Sequence, residues 1–281
     1  QVFEKMASRR SADIAGLDAL FDTLIQKRTK LAKNAGFENY RDYKFKEMGR
    51  FDYSKESCFE FHNSVEKHIV PLVKKIQKER LAKMNKVIFR PWDTAVNAEG
   101  KAPLKPFETG KEMLDGTIAV FDKINPEFSG FLKTMEEMKH LDLESKPGKA
   151  PGGYNYPLYE SGAPFIFMNA VGSQGDLSTM IHEGGHAVHS FLTHDLELTA
   201  FKSFPSEIAE LASMSMELLT MEHWDEFYDN TDDLIRAKKE QLQGTITLLP
   251  WIAQIDAFQH WIYENHKHTA AERTAYWMEL N

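Results

Sequence analysis

Two histidines four residues apart, inside a stretch of helical periodicity, constrain this chain more than any other feature. They are His182 and His186 in the run His182-Glu183-Gly184-Gly185-His186. On a helix, residues at this spacing share a face, with Cβ atoms about 5–6 Å apart. Both rings can then reach one Zn²⁺ at about 2.0–2.1 Å. Glu183 stands beside the ion without having to ligate it. Zinc lowers the pKa of a bound water to about 7, and a neighbouring carboxylate can take its proton. The run therefore predicts a hydrolytic zinc site, one ion per chain, with Glu183 as base and a third ligand from elsewhere. The helix is expected to start within 176–181, with Asp176 or Ser178 as cap. Ala187, Val188, Phe191 and Leu192 continue its apolar face. Gly184 and Gly185 each cost about 1 kcal/mol relative to alanine. Close packing or an approaching substrate would explain that cost.

The third ligand can be narrowed. A metzincin-type continuation needs glycine at 189 and histidine at 192, but the chain has His189 and Leu192. The alternative is a carboxylate from a second helix. Residues 205–220, PSEIAELASMSMELLT, read as such a helix, with Ser203 or Ser206 as cap and Pro205 in its first turn. Acidic groups on a Met-rich apolar helix are costly to bury unless paired or metal-bound. Glu210 and Glu217 share a face. Glu207 lies off it and suits the helix dipole. Geometry ranks Glu210 first, Glu207 second and Glu217 third. His189 shares the face of His182 and His186 and reads as a wall or orienting residue rather than a ligand.

Several segments resemble the oligoendopeptidase F and thimet oligopeptidase family of zinc peptidases. These are GKAPGGYNY (148–156), PFIFMN (164–169), DLSTMIHEGGHAVHS (176–190) and EIAELASMSMELL (207–219), with GRFDYS (49–54) and RPWD (90–93) extending the likeness. In that family the zinc glutamate is followed by serine three residues on and glutamate seven on. Glu210, Ser213 and Glu217 match; a pattern starting at Glu207 does not. The resemblance implies Glu210 as ligand, Glu217 as an acceptor orienting a zinc histidine, and short peptides as substrates. Family members are longer at both ends and carry a C-terminal His and Tyr region that holds substrate. This sequence begins without Met, and a helix opening at Thr269-Ala270-Ala271-Glu272 meets no stop before Asn281. A central fragment is expected, itself weakly active or inactive.

The fold expected is mainly α: a helical zinc-peptidase catalytic core with a small β-sheet next to the active-site helix. Residues 1–145 would form its mainly helical part and 146–281 its zinc-binding part, as one continuous domain truncated at both ends. Helices are expected over 11–34, from Ser54 to about 84 with a break near Pro71, over 109–123 and 126–140, and over 231–266 with a kink at Pro250. YNYPLY and PFIFMN read as strands joined by Glu160-Ser161-Gly162. PFIFMN is expected to line the cleft with a free edge that pairs with substrate. Tyr154, Tyr156 and Tyr159 beside it suit substrate contact or packing equally. Asp176 and Tyr154 join Glu217 and His189 as candidates around the site.

Composition excludes some classes. A net charge of −8 argues against nucleic acid. No run of about 20 apolar residues predicts a membrane span. A single cysteine, Cys58, precludes an internal disulfide, points to a reducing compartment such as the cytoplasm, and reads as a buried apolar position. Lys74, Lys75, Lys78 and Arg80 read as a solvated helix face, and Trp251, Phe258, Trp261 and Tyr263 as packing. The oligomeric state stays open. Rival readings are a related zinc carboxypeptidase and a non-catalytic metal- or peptide-binding module. Glu183 speaks against the latter, because metal binding alone does not need it.

Overall fold

The structure, a computed structural model, describes residues 1–94 and 96–281. The chain is mainly helical and divides into two compact units, one of Gln1–Lys101 with Gly244–Asn281 and one of Ala102–Gln243. Residues 102–145 thus group with the HEGGH segment rather than with the N-terminal helices.

The first unit contains α1 (Val2–Ser11), α2 (Ile14–Asn34), α3 (Tyr40–Glu47), α4 (Lys55–Ser64) and α5 (Val70–Lys83). The helix expected over 11–34 begins at Ile14 and stops before Gly36. Pro71 lacks an N–H and crowds the carbonyl four residues back. A π turn at Val65–Ile69, just ahead of it, accommodates both losses. Lys74, Lys75 and Lys78 are exposed, while Arg80 donates to the Asp93 and Thr94 carbonyls.

The second unit carries α6 (Gly110–Ile124), α7 (Pro126–Glu137), β1 (Leu141–Glu144), β2 (Tyr154–Tyr156), β3 (Phe165–Ala170), α8 (Gln174–Leu192) and α9 (Ser206–Leu219). Long α10 (Thr231–Glu264) is divided between the units at Gly244, with Pro250 inside it, and α11 (Ala270–Leu280) returns to the first unit. There Trp261 stacks on Tyr276 at 4.6 Å and Arg273 pairs with Asp18 and Asp22, so the C-terminal aromatic group is packing.

The sheet has the order β1-β3-β2, with β1 parallel and β2 antiparallel to β3. This corrects the expectation that PFIFMN offers a free edge: β3 is the central strand, paired on both sides. Ile166, Met168 and Ala170 alternate into the core. Strand β1 escaped the sequence reading because its four residues pair with a segment far along the chain.

From β3 the chain turns through Gly172, at φ +94°, into the cap of α8. Ser173 is the cap, and its hydroxyl accepts from Asp176 N while the Asp176 carboxylate receives Ser173 N. The helix therefore starts at Gln174, earlier than expected. Asp176 is committed to this capping box. Leu177, Met180, Ile181, Ala187 and Val188 bury one face of α8 against Met113, Phe121, Leu132 and Met216. Pro205 caps α9, and neither Ser203 nor Ser206 does.

Candidate metal centre

Helices α8 and α9 build the site, and the two central glycines explain how closely they approach. A Cβ on Gly185 would lie 2.7 Å from Ser213 Cα and 3.1 Å from Met216 Cβ. A Cβ on Gly184 would lie 2.8 Å from Phe121 Cζ. Packing thus accounts for both glycines, and the near contact at Gly185 brings the Glu210 turn of α9 over the histidines.

Among the described residues, His182, His186 and Glu210 place one nitrogen, nitrogen and oxygen atom within 4.8 Å of one another. His182 Nε2 is 3.3 Å from Glu210 Oε2, and His186 Nε2 is 3.8 Å from Glu210 Oε1. The Glu210 side chain is 53% exposed, so the cluster opens to solvent. Ser213, fully buried, donates to the Glu210 carbonyl and approaches its carboxylate at 3.4 Å. Behind the cluster, His182 Nδ1 donates to Glu217 Oε1 at 2.7 Å. That bond fixes the tautomer and leaves the Nε2 lone pair facing Glu210.

Glu183 is buried on the neighbouring flank, and its Oε2 has no hydrogen-bond partner among the described residues. Burial raises its carboxyl above the usual glutamate range, with His182 opposing and Glu210 reinforcing the shift. Burial lowers His182, but the Glu217 hydrogen bond and the surrounding carboxylates outweigh it, so the ring lies above the ordinary histidine value. His186 lies below it through burial and the His182 charge.

The remaining candidates separate. Glu207 is outside the three-ligand group. His189 stacks on Phe204 at 3.9 Å, and burial depresses its pKa. Tyr154 is exposed and stacks on Phe167 at 5.1 Å. The next residue of β2, Asn155, faces the other way, and its Nδ2 lies 3.4 Å from the Glu183 carbonyl. Sequence reasoning weighed the tyrosines and missed Asn155, although strand alternation puts it on the opposite face. It also missed Gln241, which donates to Glu217 Oε2 at 2.5 Å. A hint was available in Gln174, Ser178, His182 and His186, a polar stripe at four-residue intervals along α8.

The sequence profile of Peptidase family M3 matches residues 1–281. The chain belongs to peptidase family M3. Over 167 residues it is 26% identical to the plasmid-encoded oligoendopeptidase F of Lactococcus lactis subsp. cremoris, a stretch covering 59% of this chain and 25% of that protein. Among solved structures it resembles PZ peptidase A with inhibitor 2, with TM-score 0.89 and 30% identity, covering 96% of this chain and 48% of that one. A Bacillus anthracis str. Ames protein assigned as an oligoendopeptidase F matches with TM-score 0.88 and 28% identity, over 96% of this chain and 49% of that one. The M3 chain thus spans about half the length of these solved structures. Among its described residues no helix is long and apolar enough to cross a membrane.

Proposed function

We propose that this M3 chain holds the catalytic core of a zinc-dependent endopeptidase acting on short peptides. The observation that carries the reading is the convergence of His182, His186 and Glu210 beside a buried carboxylate whose Oε2 has no partner among the described residues. Two imidazoles and one carboxylate form a donor set suited to zinc with a coordination position left open. Bound there, the ion would supply Lewis-acid activation of water and of the scissile carbonyl.

The chain's own residues do the rest. Glu183 accepts a proton as the water oxygen joins the carbonyl carbon, then delivers it to the amine as the C–N bond breaks. Its raised pKa suits a group that must both take and return a proton. Glu217 holds His182 in the ligating tautomer. Asn155 ties β2 to the Glu183 turn, and β2, unlike β3, is an edge strand. A peptide main chain adding to that edge would be held by hydrogen bonds that ignore side-chain identity. A reducing cytoplasmic setting accords with the lone Cys58.

Glu183→Gln is the test. In a version extended to the length of its M3 relatives it should keep the metal, measured by mass spectrometry, and lose about 10²–10⁴-fold in turnover of an internally quenched peptide. Near-normal turnover would remove Glu183 as the base. Cleavage by the extended version only of peptides with a free C-terminus would favour the carboxypeptidase reading, and zinc binding by it without any cleavage the binding-module reading.

A further inference from the structure

We infer that Gln241 is a positioning residue for the metal-facing ring of His182, acting through Glu217, with Ser178, Gln174 and Tyr228 setting the direction of its amide. The inference rests on the zinc reading of His182, His186 and Glu210.

Both oxygens of Glu217 are engaged, Oε1 by His182 Nδ1 at 2.7 Å and Oε2 by Gln241 Nε2 at 2.5 Å. An ionised carboxylate only accepts, so Gln241 must present its NH₂ group and turn its carbonyl oxygen the other way. That oxygen meets Ser178 Oγ at 2.8 Å, so the hydroxyl donates to it. The hydroxyl in turn accepts from Gln174 Nε2 at 3.3 Å. The Gln174 carbonyl oxygen is left to receive the Tyr228 hydroxyl, at 2.5 Å. Every donor in the chain therefore points towards Glu217. Tyr228 and Gln174 are buried at 8% and 9% exposure, so water competes little for these bonds. Burial also keeps the Tyr228 hydroxyl protonated and able to begin the chain.

The bonds stitch together separate elements. Gln174, Ser178 and His182 lie on one stripe of α8, Glu217 comes from α9 and Gln241 from α10. A carboxylate held at both oxygens cannot swivel, so the ring it orients cannot either. Partners behind metal ligands typically alter metal affinity about 10–100-fold. Gln241 acts one bond further out, which places it at the low end.

Zinc affinity of the chain, measured by chelator competition, tests this, with circular dichroism of each metal-free variant reporting folding. Gln241→Leu should weaken zinc about 10-fold and Glu217→Gln more. The double variant should bind no more weakly than Glu217→Gln alone, because the glutamine acts only through that carboxylate. Ser178→Ala should share the loss, and Ser178→Thr, which keeps the hydroxyl, should restore wild-type affinity; this pair decides the matter should Gln241→Leu misfold. Wild-type affinity in Gln241→Leu, or losses that add in the double variant, would overturn the inference while leaving the zinc site intact. A wild-type chain that binds no zinc would overturn the zinc reading, and the inference with it.

Discussion

The two units each contain a cluster of metal-type ligands, and the clusters differ in what stands behind the histidine. In one, His182, His186 and Glu210 converge; in the other, Cys58, Asp256 and His260 do, also within 4.8 Å. Behind His182 is Glu217, which can only accept, so Nδ1 keeps the proton and Nε2 offers a lone pair. Behind His260 is Arg41, whose Nη1 lies 3.3 Å from Nδ1. A guanidinium can only donate. Neutral His260 therefore carries its proton on Nε2, the nitrogen that faces Asp256 Oδ2 at 3.4 Å. Arg41 is itself held by Asp42 and Glu264. Cys58 is half-buried rather than part of the core, and burial followed by the Asp256 charge raises its thiol above the ordinary range, away from the thiolate a metal needs. Both clusters bring three possible ligand atoms to similar proximity; the tautomer set from behind suits the first to the proposed metal and makes the second a hydrogen-bonded hub.

The largest effect should come from removing ligands. His186→Ala or Glu210→Ala should abolish stoichiometric zinc binding, whereas Glu207→Ala, Cys58→Ala and His260→Ala should retain one ion per chain. Metal content after dialysis checks this. Loss of zinc in His260→Ala with its retention in His186→Ala would invert the comparison.

Arg41→Met should come next. It removes charge-assisted hydrogen bonds from a side chain only 5% exposed. Such bonds contribute about 1.5–3 kcal/mol each, but Glu264 and Asp42 are partly solvated, so a total near the lower figure is expected from chemical unfolding. The same variant lets His260 move its proton to Nδ1. A second, weaker zinc should then bind at Cys58, Asp256 and His260. A stoichiometry that stays at one would show that Arg41 is not what closes this cluster.

The glycines give a smaller, signed contrast. Gly185→Ala puts a methyl 2.7 Å from Ser213 Cα. Overpacking of this kind costs about 1–3 kcal/mol, offset in part by alanine's helix preference of about 1 kcal/mol. Zinc affinity should fall as well, because α9 carries Glu210 away from the histidines. Gly130→Ala, on α7 where a Cβ meets nothing within 4 Å, should instead stabilise by about 0.4–1 kcal/mol. Gly185→Ala with unchanged zinc affinity would uncouple the helix contact from the site.

How much of this was legible in the sequence follows from which contacts are local. The histidine pair needs only helical periodicity, and a second apolar helix is enough to rank Glu210 ahead of Glu207 and Glu217; Ser213 and the orienting role of Glu217 come only from the family resemblance. Residues whose partners lie far along the chain do not stand out from the order of amino acids alone. Strand β1 is defined by pairing with β3, Asn155 by its reach to the Glu183 carbonyl, and Gln241 by a bond to Glu217 on another helix. Asp176 misled for the opposite reason: its acidic side chain near the motif is spent on the local cap of α8. The free edge expected of β3 failed because strand order is a tertiary property, invisible in the alternation of 164–169.

The smallest expected effect is a pH dependence confined to the first unit. Asp256 sits between His62, whose Nε2 is 2.7 Å from Oδ2, and His260. Burial raises its carboxyl, but hydrogen bonds and charge from His260 and His62 outweigh this and hold the pKa below the ordinary aspartate value. A depressed folded-state pKa stabilises the charged form, so the contribution is complete above the unfolded value of about 3.9. It is lost as pH falls through the folded value. The side chain is 38% exposed, so solvent screening keeps the effect modest. The stability advantage of wild type over Asp256→Asn, from urea unfolding, should therefore shrink as pH falls below about 4. An advantage that grows on acidification below about pH 4 would mean Asp256 is held neutral in the fold, and would remove the carboxylate from the hub that distinguishes this cluster from the proposed zinc site.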